Sequence, residues 1–275
     1  MTSTQTTVHL PTFTVDLAFD DSEMTRKSAP PAGAPRRPVA LVLHGGGGPF
    51  TVAALAAHLA TTHRVLTPTL PGWNGTERPG ALAHVADLAS AYLVLLSDLD
   101  LKDVLVVGSS LGGWIASEMA ARDEADLVGR VVVIDGAGVK VEGEDVVDFF
   151  RLTPKQIAEH SWHDADKFFI EPATLTPAQL ATQRSNLQTM RALAGDPYMH
   201  DPGLLSRLDS VEIPVLVIWG ESDRLFTPEY GRAYAAAFGR SRGAHARFEL
   251  IREAGHLPHL ERPAATLAAI DAFAS

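Results

Sequence analysis

Short runs that are apolar at nearly every position recur along the chain, separated by stretches whose apolar residues follow helical spacing. The runs at 39–43, 64–66, 104–107, 131–134, 214–219 and 247–250 are rich in Val, Ile and Leu, the pattern of strands buried on both faces. Between and after them, helices are predicted at about 51–62, 82–98, 111–122, 228–238 and 263–273. This alternation specifies an α/β fold, a mostly parallel central sheet with helices on both faces. Residues 8–19 predict one or two antiparallel edge strands, and 28–38 (SAPPAGAPRRP) a Pro-rich surface connection.

The alternation breaks between residues 139 and 208, where no β-run occurs and helical pieces are punctuated by proline. Thr153-Pro154-Lys155-Gln156 and Thr176-Pro177-Ala178-Gln179 each join an N-cap threonine, proline at the first helical position and a glutamine placed to close a capping box. Asp201-Pro202 is a further candidate start. The expected organisation is a core at 1–138 and 209–275, with a helical cap at 139–208 inserted after the sixth strand.

Composition narrows the function. The 275 residues are 46% hydrophobic and 20% charged, the balance of a folded globular protein. A formal charge of −10 without a dense Lys/Arg cluster argues against nucleic-acid and membrane-surface partners. Cysteine is absent, which removes disulfides, thiol nucleophiles and cysteine-ligated zinc. No secretory or transit signal is legible in the first twenty residues and no apolar stretch is long enough to span a bilayer, so a cytoplasmic location is expected.

Four segments carry candidate chemistry, each after a predicted strand, where open α/β sheets gather their sites. Gly108-Ser109-Ser110-Leu111-Gly112 fits G-x-S-x-G between a strand and a helix. A nucleophile elbow needs small neighbours there because the turn is strained and tightly packed. The bland alternative is a glycine-rich turn with a serine N-cap. His44-Gly45-Gly46-Gly47-Gly48-Pro49 follows the strand at 39–43; a phosphate-cradling loop would need a following Lys-Ser or Lys-Thr, and none follows. Gly220-Glu221-Ser222-Asp223 follows 214–219, and Glu253-Ala254-Gly255-His256 follows 247–250. Ser109 occupies the variable position of the elbow. His160 and His163, like His256 and His259, are spaced by three but lack a third ligand set, so no metal is expected.

In these four segments the chain resembles the α/β-hydrolase family, over 36–138 and 209–275, and the order Ser, Asp, His is the one that fold uses. The resemblance implies Ser110 as nucleophile, His256 as general base and Asp223 as the acid that orients it. It also implies an oxyanion hole from the amides of Leu111 and Gly46, with Gly47 as the alternative. Asp135 also ends a strand, and a minority of the family places its acid there. His44 would orient its loop rather than react.

Such a triad needs no cofactor and implies a small-molecule substrate: an ester, thioester or lactone cleaved through an acyl-enzyme, with a rate rising through about pH 6–7 as the base loses its proton. Serine at position 110 sets the chain apart from epoxide hydrolases and haloalkane dehalogenases, which use Asp there. Carbon–carbon bond hydrolases of ring-cleavage products, cofactor-free haloperoxidases or perhydrolases, and ligand-binding receptors on the same scaffold remain alternatives. Phe50 and Trp114 are expected to flank the pocket. The cap carries Phe149, Phe150, Trp162, Phe168, Phe169, Met190 and Tyr198, most of them expected as cap core, since a helix layer must bury an apolar stripe. The pocket should take a small to medium, largely apolar molecule.

Overall fold

A computed structural model describes residues 3–24, 36–242 and 246–274. Most of the Pro-rich connection expected at 28–38 lies outside the described residues. The eight strands are β1 (Thr4–His9), β2 (Thr14–Asp21), β3 (Val39–Leu43), β4 (Arg64–Thr69), β5 (Val104–Ser109), β6 (Val128–Ile134), β7 (Val215–Gly220) and β8 (Arg247–Ile251). They form one sheet in the order β1-β2-β4-β3-β5-β6-β7-β8. β1 and β2 form the antiparallel edge, and all pairs from β4 to β8 are parallel. Leu41 stands beside Val106, Val107 beside Val132, and Val133 beside Val217. The order turns back between β3 and β5, which opens a crevice at their carboxyl ends.

Period-two alternation divides the apolar runs between two cores. Leu41, Leu43, Val106, Val131, Val133, Val217 and Trp219 face one side. There they meet α2 (Val85–Asp98), α3 (Leu111–Arg122) and α8 (Pro228–Ala237) through Leu88, Ile115 and Tyr234. Ala40, Val42, Leu105, Val107, Val132, Leu216 and Ile218 face the other, against α1 (Ala53–Leu59) and α10 (Pro263–Ala274) through Leu55, Leu59 and Ile270. The short α9 (Pro258–Glu261) precedes α10.

α1 is shorter than the sequence predicts. Gly48 at φ 97° and Pro49 open a 3-10 turn, Pro49–Val52, before it, and Thr61 Oγ1 and His63 N bond back to the carbonyls of His58 and Leu59 behind it. β6 begins three residues earlier than predicted, because the chain pairs with β5 through an irregularity beside Val104 and Leu105.

Between β6 and β7 the chain carries α4 (Pro154–Ser161), α5 (Ala165–Phe168), α6 (Pro177–Ala194) and α7 (Leu204–Arg207) with short 3-10 turns. Thr153 and Gln156 close a capping box on α4, as Thr176 and Gln179 do on α6, satisfying amides that a first turn otherwise leaves open. The start expected at Asp201-Pro202 is displaced to Gly203, whose amide Asp201 Oδ1 accepts. Among the described residues no helix is long and apolar enough to cross a membrane.

Candidate active site

β5 delivers Ser110 on a sharp turn. Its backbone lies at φ 56° and ψ −118°, a region a non-glycine residue occupies only when its surroundings hold it there, at a cost of about 1–3 kcal/mol. The bracing is visible: Ser110 N donates to Ile134 O at 2.9 Å, and Ser110 O accepts from Gly113, Trp114 and Ala137. A Cβ on Gly108 would collide with the backbone of Gly112, and one on Gly112 with the carbonyls of Leu43 and His44. The turn therefore needs both glycines.

Ser110 Oγ lies 2.9 Å from His256 Nε2, and His256 Nδ1 lies 2.8 Å from Asp223 Oδ2. With the Asp223 carboxylate accepting, Nδ1 carries the proton and the Nε2 lone pair faces the serine hydroxyl. Asp223 Oδ1 accepts the amides of Leu225 and Phe226, so a turn closed by its own side chain aims the carboxylate. The three residues are buried, and the Phe226 ring stacks on the imidazole at 5.6 Å.

The glycine loop after β3 lies against the elbow, where a Cβ on Gly45 would stand 2.8 Å from Ser110 Cβ. Trp73 Nε1 donates to Gly46 O at 3.0 Å. The amides of Gly46 and Leu111 donate to no acceptor among the described residues, and Leu111 N opens α3, whose first-turn donors have no intrahelical acceptor. His44 is buried in this loop. Its Nε2 accepts from Leu70 N and its Nδ1 donates to Gly45 O, while burial pulls its pKa down to about 4. It therefore braces the loop as a neutral ring. His259, also down to about 4 by burial, donates from Nε2 to Thr51 O.

Several residues that hold the site together carry no sequence signature. Ser161 O, at the end of α4, accepts the His256 amide at 2.6 Å. The buried Glu261 carboxylate accepts amides from His163, Asp164 and Gly255, joining the cap to the loop that bears His256. Arg224 N donates to His160 O, tying the acid turn to the same stretch. On the other side, Asn186 of α6 exchanges hydrogen bonds with Asn74, and Thr189 donates to Gly72 O. Apart from Gly255 to Glu261, six residues apart, these contacts span dozens of residues, beyond the reach of local patterning.

A cavity of about 600 Å³ opens over Ser110 and His256 between core and cap. Phe149, Trp162, Phe168, Phe169 and Met190 line it, a correction to the expectation that most of the cap aromatics form a cap core; Phe150 and Tyr198 stay outside it and pack on each other. Apart from α4 on α5, the helices between β6 and β7 scarcely pack on one another, so their rings find the cavity wall instead. Phe50 lines the mouth with 73% of its surface exposed. Trp114 is the second correction, because it does not reach the cavity: one turn into α3, it is 3% exposed and lies against Gly138. Asp135 is buried behind Asp223 and does not bond the histidine. Asp135, Asp223 and His256 offer three ligand-type atoms within 4.8 Å of one another, but Asp223 and His256 are already hydrogen-bonded to each other and Asp135 Oδ1 holds the Gly220 amide.

This architecture defines a hydrolase of the α/β class, and the chain belongs to the alpha/beta hydrolase family, whose model matches residues 40–270. It is 29% identical over 253 residues to a pimeloyl-(acyl-carrier protein) methyl ester esterase of Aromatoleum aromaticum, covering 82% of this chain and 94% of that one. It is 25% identical over 239 residues to a 2-hydroxy-6-oxononadienedioate/2-hydroxy-6-oxononatrienedioate hydrolase of Cupriavidus pinatubonensis, covering 78% and 79%. Among solved structures, a thermophilic esterase from Thermogutta terrifontis superposes with a TM-score of 0.71 at 22% identity, covering 98% and 97%.

Proposed function

We propose that this protein is a serine hydrolase that cleaves a carboxylic ester or related acyl bond of a small to medium, largely apolar substrate. The observation that carries this reading is the unbroken chain from Ser110 Oγ to His256 to Asp223 beneath a carbon-rich cavity. A hydroxyl is a weak nucleophile at neutral pH and needs a base within reach whose tautomer an anion fixes. His256 takes the Ser110 proton as Oγ attacks the substrate carbonyl, and the Leu111 and Gly46 amides receive the oxyanion. The protonated imidazole then gives its proton to the leaving alcohol. Water, deprotonated by the same histidine, attacks the acyl-enzyme and releases the acid.

One feature favours a second reading. Arg184 of α6 lines the largely apolar cavity, beside Gln183 and Asn186, and forms no ion pair among the described residues. A cation there suits a carboxylate-bearing substrate of the kind in the name of the Cupriavidus relative.

The first test is intact mass after incubation with a fluorophosphonate, alongside p-nitrophenyl ester turnover, on native protein, Ser110→Ala and His256→Ala. One adduct on native protein alone, with turnover lost in both variants, is expected. Native protein that forms no adduct and turns over no ester would overturn the hydrolase reading in favour of a binding protein on this scaffold.

A further inference from the structure

Asp135 follows β6 directly and plays no part in the triad described above. Its backbone sits at φ 44°, in the left-handed region, and its amide donates to Ile218 O at 3.0 Å. Its side chain is fully buried, and Oδ1 accepts the amide of Gly220 at 2.8 Å, at the root of the turn that bears Asp223. Oδ2 receives no hydrogen bond from any donor among the described residues. Among the described residues the titratable groups facing this carboxyl are Asp223 and His256, with Glu261 and the Tyr230 phenol close to the pair; none of these is a lysine or arginine.

Two buried carboxyl groups crowded together with no lysine or arginine beside them do not both ionise. The donors decide which keeps the proton. Among the described residues Asp223 receives three, from the amides of Leu225 and Phe226 and from the His256 ring, whereas Asp135 receives the Gly220 amide alone. Anionic charge is therefore better held on Asp223. Burial and the neighbouring Asp223 push the Asp135 pKa well above the ordinary carboxylate range.

We propose that Asp135 is a positioning residue, held as a neutral carboxylic acid, whose Oδ2–H donates a hydrogen bond to the Asp223 carboxylate and so fixes the anion behind His256. This rests on the triad reading above. It explains why a buried carboxylate oxygen lacks a donor: protonated, it is itself the donor. It also gives Asp135 a second task, since the same side chain clamps Gly220 and thereby the start of the acid turn.

The test is the pH dependence of p-nitrophenyl ester hydrolysis by native protein, Asp135→Asn, Asp135→Ala and Asp223→Asn. Asparagine offers an N–H where the acid offers an O–H. Asp135→Asn is expected to keep kcat within about threefold of native and to leave the half-maximal pH unmoved. Asp135→Ala removes the donor and is expected to lower kcat by about ten- to a hundredfold. Its half-maximal pH should move upward, because a less solvated Asp223 anion holds the imidazolium proton more firmly.

An ionised Asp135 predicts the opposite sign. Replacing an anion near the imidazole by a neutral amide would move the half-maximal pH downward in Asp135→Asn, and that result overturns the proposal. Infrared difference spectra provide a readout that needs no refolded alanine variant: a protonated-carboxyl C=O band at neutral pH, present in native protein and absent from Asp135→Asn, is expected. Its absence from native protein overturns the proposal too. Failure of the underlying triad looks different. Asp223→Asn at native rate with Asp135→Asn inactive would make Asp135 the acid, and Ser110→Ala at native rate would remove the serine mechanism altogether.

Discussion

Asp223 fixes the histidine tautomer only as a carboxylate acceptor. An amide in its place can turn its N–H₂ toward Nδ1 and shift the proton to Nε2, where it faces Ser110 and blocks deprotonation. Asp223→Asn is therefore expected to lower kcat by about three to four orders of magnitude with little change in fold, as measured by burst and steady-state kinetics. A loss under tenfold would count against this role. Gly45 offers a steric test at the same scale. A Cβ there would stand 2.8 Å from Ser110 Cβ and 3.0 Å from Ser109 O, and neither can retreat because the elbow is braced from below. Gly45→Ala should thus reduce kcat about a hundredfold while KM, set by the apolar cavity, changes little. A KM rise with unchanged kcat would show the loop yielding instead of the elbow.

At the scale of elements, the strands and the helices flanking the sheet were legible because their signals are local: unbroken apolar runs in β3 and β5, capping boxes at Thr153 and Thr176, and Gly108 and Gly112 around Ser110. The placement of Trp114 was not, since closeness in sequence to the elbow does not say which way α3 turns its side chains. Nor was the seam between cap and core. His256 N meets Ser161 O, and Glu261 gathers the amides of His163 and Asp164 beside that of nearby Gly255, bridging segments at sequence separations where no pattern operates. That seam makes the α4 end of the cap part of the histidine's support rather than a free lid. Glu261→Ala should leave those amides buried and unpaired, lowering Tm by roughly 5–10 °C and kcat together. Asn186→Ala, which frees only the α6 side, should lower Tm less and act mainly through KM. Calorimetry and kinetics on the two variants check this, and equal effects on kcat would deny the α4 end its special part.

For the whole molecule, buried titratable groups on both sides of the sheet set how stability depends on pH. His44 and His259 are fully buried and held near pKa 4, against about 6.5 when unfolded. Each takes up a proton on unfolding between those values, so stability is complete above about pH 6.5 and falls as pH drops toward 4, by about 3 kcal/mol apiece at most. Asp135 works the other way. Its folded pKa is raised, so its contribution is fully present below about pH 4, declines as pH climbs above that, and is lost once pH passes the folded pKa. From pH 4 to 6.5 two protons gained on unfolding outweigh the one lost, and Tm should rise. Of these three groups Asp135 alone still contributes above 6.5, and Tm should fall gently until that acid ionises. Differential scanning calorimetry from pH 4 to 9 should therefore give a maximum near pH 6–7. Replacing Asp135 by asparagine should flatten the alkaline limb and leave the acid limb intact. A native protein whose Tm holds level from pH 7 to 9 would mean that Asp135 is already ionised at neutrality, with two adjacent anions tolerated behind His256.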